Sequence, residues 1–257
     1  MTSATTTAYT ITNYGHEPTR VTIHDLRGKE NSMDLDTNAF EVIKYEGVTQ
    51  EEFENNSEVQ RNHYEEMENI IKEHLGASRV IIYQHVFRTR GAALTGDQCN
   101  DNHRNPGFLV HSDIDGPGVQ GKLVQLLGDE KAKEIMKHRY AAFNIWRPLG
   151  SNPIVDKPLA ICDYRSIDAE KDIHPLEVRG STNTSTARTI SPNVQDTHRW
   201  YYLSEMRSNE MFIFKMFDSK VDVAQCAFHT AFINKNVPPS NMEQRSIEMR
   251  CLVSYDY

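Results

Sequence analysis

The sequence predicts a mainly β protein with flanking helices, a double-stranded β-helix of the jelly-roll, cupin-like kind. Three observations carry that reading. Short apolar or alternating runs bounded by turn residues recur toward both ends of the chain. One acidic segment, 49–75, has helical periodicity instead. No apolar run approaches the length of a membrane span, so the strands read as packing against one another in two short sheets.

The elements follow in order. Segments 8–13 and 20–25 read as short strands around the turn Tyr14-Gly-His-Glu-Pro18, and 39–44 as another. In 49–75, Phe53, Val59, Tyr64, Met67, Ile70, Ile71 and His74 fall roughly on one stripe, and Gly76 is a natural stop. Segment 79–88 alternates as a strand. Segments 119–127 and 130–140 read as helices. Strand signals resume at 142–146, Leu159–Cys162, 200–203, 211–217, 224–229 and 247–253. Two long connections remain. Segment 179–196 is rich in Ser, Thr and Asn and poor in large apolar groups, which predicts a lid or a mobile surface loop. Segment 234–244, with Pro238-Pro239, is the second.

Composition narrows the class. At 257 residues the chain is long enough to bury a sizeable core, and 1–257 reads as a single domain. Its N-terminal strands and helix, 1–90, are expected to brace a jelly-roll core of about 91–257. A net charge of −8 argues against a nucleic-acid binder. The N-terminus lacks the basic start and apolar stretch of a secretory signal, and the four Cys are scattered without Cys-x-x-Cys. A cytoplasmic protein acting on a small molecule, away from membranes, is the expectation.

The residues that point to chemistry are His111-Ser112-Asp113. On a strand, residues i and i+2 share a face, so His111 and Asp113 would reach into one interior while Ser112 turns away. A third ligand from a distant strand would complete two imidazoles and a carboxylate around a metal with open positions. His229 is the best candidate, and His198 an alternative. Composition alone yields roughly 0.7 His-x-Asp by chance. A second His-x-acid, His63-Tyr64-Glu65, lies in the helical segment, where i and i+2 diverge. Context separates the two. The run Gly107-Phe-Leu-Val110 leads into His111, and Asp115-Gly-Pro-Gly118 follows as a turn, a strand end at a loop.

The chain resembles the fungal and bacterial enzymes grouped with gibberellin desaturase and the 7α-cephem-methoxylase-related proteins. The resemblance runs through Ile23-His-Asp-Leu-Arg-Gly28, Asn38-Ala-Phe-Glu-Val-Ile-Lys44 and Gly76-Ala-Ser-Arg-Val80. It continues in Asn144-Ile-Trp-Arg-Pro-Leu149, Pro158-Leu-Ala-Ile-Cys-Asp163 and Trp200-Tyr-Tyr-Leu-Ser-Glu-Met206. Ile213-Phe-Lys-Met-Phe-Asp-Ser219, Phe228-His-Thr-Ala-Phe232 and Arg245-Ser-Ile-Glu-Met-Arg250 complete it. The departures are Ala39, where a Gly is usual, and Ala227, where a Pro often precedes the His. This likeness implies a non-haem Fe(II)/2-oxoglutarate-dependent oxygenase with His111, Asp113 and His229 as metal ligands. It further implies O2 as oxidant and ascorbate as reductant. Such an enzyme hydroxylates, desaturates or cyclises a small natural-product intermediate while 2-oxoglutarate is decarboxylated to succinate and CO2.

A co-substrate with a distal carboxylate calls for a buried cation, and the planar fork of Arg suits it. Arg245 and Arg250 bracket the last strand, where related oxygenases commonly carry this residue, and Arg147 is the third option. Arg250 shares a strand face with Ser246 and Glu248, whereas Arg245 shares one with Ile247, Met249 and Cys251. If the apolar face points inward, Arg245 is favoured; if the polar face does, Arg250. Tyr83 and His85 could face the pocket as substrate contacts. Two other classes fit the same barrel: a metal-dependent hydrolase or isomerase, and a catalytically silent small-molecule-binding jelly roll.

Overall fold

The computed structural model describes residues 11–12, 18–47, 51–90, 93–95, 98–100, 102–179, 184–192, 196–235, 237–238, 240 and 242–255. In chain order these form β1 (Ile11–Thr12), β2 (Ile23–Asp25), α1 (Leu35–Asn38), β3 (Phe40–Lys44), α2 (Glu58–Leu75), β4 (Arg79–Arg90) and β5 (His103–Arg104). Next come α3 (Gly116–Leu127), α4 (Asp129–Ile135), β6 (Tyr140–Leu149), β7 (Leu159–Cys162), α5 (Ala169–Asp172), β8 (Ile173–Arg179) and β9 (Thr184–Ile190). The chain ends in β10 (Trp200–Tyr202), β11 (Glu210–Asp218), β12 (His229–Ala231) and β13 (Gln244–Ser254).

A six-stranded sheet in the order β3-β11-β6-β13-β4-β5 faces a four-stranded sheet in the order β12-β7-β10-β2. Together they form a distorted jelly roll with helices on its flanks. Alternation explains the layering. Phe40, Trp146, Phe212, Phe214 and Leu252 of the large sheet meet Leu159 and Ile161 of the small one, with Val119 and Leu123 of α3 closing one side. The other face of the large sheet presents Ile82, Phe143, Ile145, Ile213, Ile247 and Met249 to Met67 and Ile71 of α2. The large sheet is therefore covered on both faces, and every residue of β6 is buried. Each fully buried Ile or Met in such a layer contributes about 1.5–3 kcal/mol.

Several expectations shift. Helix α2 begins at Glu58 rather than near 49, because Asn56 takes a left-handed φ of 62° and the Ser57 hydroxyl then accepts the Gln60 N–H. Helix α4 stops at Ile135 and leaves Tyr140 to open β6. The strand expected at 224–229 instead starts at His229. Residues 224–228 cross between layers, where the Ala224 and Ala227 N–H groups donate to the Asp36 and Lys215 carbonyls. Most of the expected strand at 8–13 and of the turn at 14–18 lies outside the described residues.

Two differences matter more. The described part of the polar segment 179–196 is not irregular: β8 and β9 form an antiparallel hairpin, with β1 on its edge. Ala187 turns inward, opposite Leu176, while the Thr186 and Thr189 hydroxyls donate to Asp115 and to the Val110 carbonyl. The first 90 residues are also more than a brace, because β2 belongs to the small sheet and β3 and β4 to the large one.

Strand β4 carries a bulge. Arg250 and Cys251 of β13 stand opposite Gln84 and Ile82, so Tyr83 is an extra residue. One extra residue flips the faces beyond it. Tyr83 packs with the inter-sheet core, whereas His85 lies on the α2 side against Phe53 and Tyr64.

Candidate metal centre

The site is built where two distant segments pair for a single rung. His111 and His229 face each other in an antiparallel bridge, and each backbone N–H donates to the other's carbonyl, at 3.2 and 3.0 Å. Directly opposed residues share a side, and the two imidazole centroids lie 4.4 Å apart. Asp113 follows on the same face. His111 Nε2 is 3.5 Å from Asp113 Oδ1, and His229 Nε2 is 3.7 Å from Oδ2. Ser112 turns the other way, fully buried, and its backbone exchanges hydrogen bonds with Arg188 of β9 at 2.8 and 3.0 Å.

One ligand atom from each of His111, Asp113 and His229 lies within 4.8 Å of the others. Two imidazole nitrogens and a carboxylate oxygen suit a divalent first-row metal, and three ligands leave positions for other groups. The neighbours support the set. Nδ1 of His111 donates to the Leu109 carbonyl at 2.7 Å, which leaves Nε2 of the neutral ring with its lone pair toward the cluster. Asp113 accepts from Arg250 Nη2 through Oδ1 and from Asn144 Nδ2 through Oδ2, each at 2.5 Å.

The electrostatics follow. Burial raises the Asp113 carboxyl, but Arg250 and then His111 and His229 more than offset it and hold it well below the carboxylate range. Burial depresses His111, yet its hydrogen bond to Asp113 raises it above the usual value. Burial and the neighbouring His111 push His229 down to about 4.

The cavity beside the cluster is lined by Arg88, Arg90, Gly107, Trp146, Leu159 and Glu248, together with His111 and His229. Glu248 is buried and bonds Arg250 at 3.1 Å, with Arg88 3.8 Å away.

The other sequence candidates separate. Arg250 points inward with Ser246 and Glu248, because the apolar face of β13 packs under α2. Arg245 lies at the margin, paired with Glu51. Arg147 is buried on the α2 side, 4.3 Å over the Tyr45 ring, and donates to the Ser208 carbonyl. Tyr83 reaches the inner layer, with the Lys122 ammonium 5.2 Å from its ring. His85 is on the opposite face, its Nδ1 2.7 Å from the Tyr64 hydroxyl. His198 pairs with Asp172 at 3.0 Å, apart from the cluster. His63 of the second His-x-acid sits in α2, under Phe53. Asn144, Glu248, Arg88 and Arg90 were not anticipated. For Glu248, Arg88 and Arg90 the signal is polar residues two apart, visible as Arg88 and Arg90 in β4 and Ser246, Glu248 and Arg250 in β13.

Known proteins resemble the whole chain. The profile of a family described as an oxidoreductase/YMDC permease-like domain matches residues 1–254. The Fe(II)/2-oxoglutarate-dependent dioxygenase nvfI of Aspergillus novofumigatus (strain IBT 16806) is 30% identical, over 94% of this chain and 85% of its own. The hydroxylase/desaturase CTB9 of Cercospora beticola is 28% identical, over 94% of this chain and 78% of its own. A solved structure of the iron and alpha-ketoglutarate-dependent endoperoxidase NvfI, in a different conformation, superposes with a TM-score of 0.78. It is 28% identical and covers 91% of this chain and 83% of that one.

Proposed function

Because this chain belongs to the family of Fe(II)/2-oxoglutarate-dependent dioxygenases and hydroxylase/desaturases, we propose that His111, Asp113 and His229 hold its iron. The observation that supports this most is the convergence of three ligand atoms, drawn from segments more than a hundred residues apart, beside a cavity rich in arginine. When bound, Fe(II) activates O2 with electrons from the oxidative decarboxylation of 2-oxoglutarate, giving succinate and CO2. The chain's own residues do the rest. Asn144 and Arg250 hold the Asp113 carboxylate in place, and Leu109 keeps the His111 ring in one tautomer. Trp146 and Leu159 line the cavity with apolar surface that excludes water around the reacting carbon.

The substrate is a small natural-product intermediate that is hydroxylated, desaturated or cyclised. Similarity to nvfI and CTB9 supports this class. A closer kinship with the gibberellin desaturase and 7α-cephem-methoxylase-related enzymes rests on the sequence blocks alone. The chain is one oxygenase domain over 1–257, cytoplasmic, with Tyr83 the better placed of the two substrate-contact candidates. Its net charge of −8 argues against a nucleic-acid partner, and no helix among the described residues is long and apolar enough to cross a membrane. The test is anaerobic titration with Fe(II), then measurement of succinate formed from 2-oxoglutarate. One metal per chain and succinate formation in the wild type are expected. Both should disappear in Asp113→Ala, and full metal binding by that variant sinks the assignment.

A further inference from the structure

A second cavity, of about 300 Å³, opens on the α2 side of the large sheet, at the edge where β5 pairs with β4. Alternation puts its walls there. His85 and Phe87 are two apart on β4 and share a face, and His103 of β5 stands directly opposite Phe87. Residues 52–55, which run up to α2, close over them. Phe53 packs edge-on against His85 and Phe87, with ring centroids 4.9 and 5.1 Å apart, and His103 lies 5.3 Å from Phe87. Buried Phe53 and His85 form the inner wall, and the exposed Glu54 stands at the rim. Among the described residues only His111, Asp113 and His229 converge as a metal-ligand set, so this cavity calls for an organic ligand.

His85 is the informative wall residue. It is only 3% exposed, and its Nε2 has no hydrogen-bond partner. Its neighbours settle which nitrogen carries the proton. The Asn56 N–H donates to Gln60 Oε1, which turns the Gln60 amide nitrogen toward His85, 3.4 Å from Nδ1. That nitrogen can only donate, and the Tyr64 hydroxyl lies 2.7 Å from the same Nδ1. Nδ1 therefore accepts, and the proton of the neutral ring sits on Nε2. Burial lowers the ring to about 4, so it is neutral at pH 7. A buried N–H with no acceptor is rare in a native protein, and a ligand oxygen entering the cavity supplies one.

Charge sets the other end of the ligand. Glu52 is already engaged, with His103 Nε2 at 3.1 Å and Arg245 at 4.0 Å. Glu54 makes no ion pair among the described residues and is free to meet a cation. It follows Phe53 directly, so an N–H and a carboxylate flank one aromatic wall. Such a wall favours a flat ring, packed edge-to-face or offset. A cavity of about 150 Å³ takes a benzene ring, so this one has room for a ring with a short side chain. An acceptor oxygen inside, a ring against Phe53 and an ammonium at the mouth together describe a phenolic amine.

We propose that this cavity binds a small phenolic amine, whose hydroxyl accepts from the His85 Nε2–H, whose ring packs on Phe53 and whose ammonium pairs with Glu54. The site lies on the opposite face of the sheet from the metal-ligand cluster. It does not rest on the oxygenase reading.

Tyramine is the probe, titrated calorimetrically into the full chain, and one saturable site is expected. Phenethylamine lacks the hydroxyl and should bind about fivefold more weakly, the worth of one neutral hydrogen bond. 4-Ethylphenol lacks the ammonium and should bind about threefold more weakly, the worth of an exposed ion pair. 3-(4-Hydroxyphenyl)propionate, which brings a carboxylate to Glu54, should bind more weakly still. Glu54→Gln, a surface change, should lower tyramine to the affinity of 4-ethylphenol. His85→Phe should bind tyramine and phenethylamine equally, and the ligand series makes the same test should that variant not fold. Asp113→Ala should bind tyramine as the wild type does. Absence of saturable tyramine binding by the wild type overturns the proposal. So does undiminished affinity in Glu54→Gln, or equal affinity for the propionate. Loss of tyramine binding in Asp113→Ala would place the amine at the metal-ligand cluster and overturn it as well.

Discussion

At the scale of single residues, Asp113 shows how a carboxylate proposed as a metal ligand is held in place. Both of its oxygens are hydrogen-bonded, one to Asn144 and one to Arg250, so little rearrangement is needed when a cation arrives. Asn144→Ala should therefore reduce Co(II) affinity by about 10–100-fold while the fold survives. The d–d absorbance of the Co(II) protein reads this directly, and an unchanged titration would make Asn144 a bystander. His63→Ala should leave the same titration untouched, because that ring lies under α2. The alternation that pairs His111 with Asp113 was legible in the sequence, as was the meeting of His229 with them. The partners of Asp113 were not. They come from β6 and β13, and nothing in one dimension shows that Asn144 and Arg250 meet the same carboxylate.

Elements were legible where periodicity alone decides, and misread where a local backbone event intervenes. The acidic stretch before Ser57 has helical composition, but the left-handed Asn56 delays the helix. Ser57→Ala removes the cap of α2 and should cost about 1 kcal/mol in urea unfolding. The hairpin β8–β9 looked like a loop because β9 is mostly Ser, Thr and Arg. Their β-branched members suit a strand once a partner exists, and β8 supplies it. The hairpin also reaches the His111–Asp113–His229 cluster through the Ser112–Arg188 rung. Replacing Arg188 with Pro deletes the N–H that donates to Ser112, a loss of about 0.5–1.5 kcal/mol. Metal affinity should drop several-fold, and 2-oxoglutarate consumption should become less tightly coupled to substrate oxidation. Equal affinity and equal coupling would uncouple the hairpin from the site. The bulge at Tyr83 was invisible to pattern reading, since a single inserted residue sends His85 to the opposite face.

For the molecule as a whole, the layer between α2 and the large sheet sets a pH limit on stability. Burial is the main reason that His63 and His85 titrate at about 4 in the folded chain. Between pH 6.5 and about 4 the unfolded state binds protons there and the folded state does not. Stability from these groups is thus complete above 6.5 and is lost as the pH falls, by up to about 3 kcal/mol for each ring. Urea midpoints should fall between pH 7 and pH 5, and the fall should shrink in a His63→Leu, His85→Leu double variant. An identical slope in that variant would place the acid sensitivity elsewhere. This layer is also why the choice among the arginines stayed open in the sequence: with both faces of the sheet buried, apolar residues do not mark the inside. One further consequence belongs to strand order. β13 lies in the middle of the large sheet, between β6 and β4, although it is the last strand among the described residues. During synthesis its two neighbours wait on the ribosome with bare edges until residues 244–254 emerge. The sheet, and with it the Arg250 grip on Asp113, is completed only once this stretch has left the ribosome.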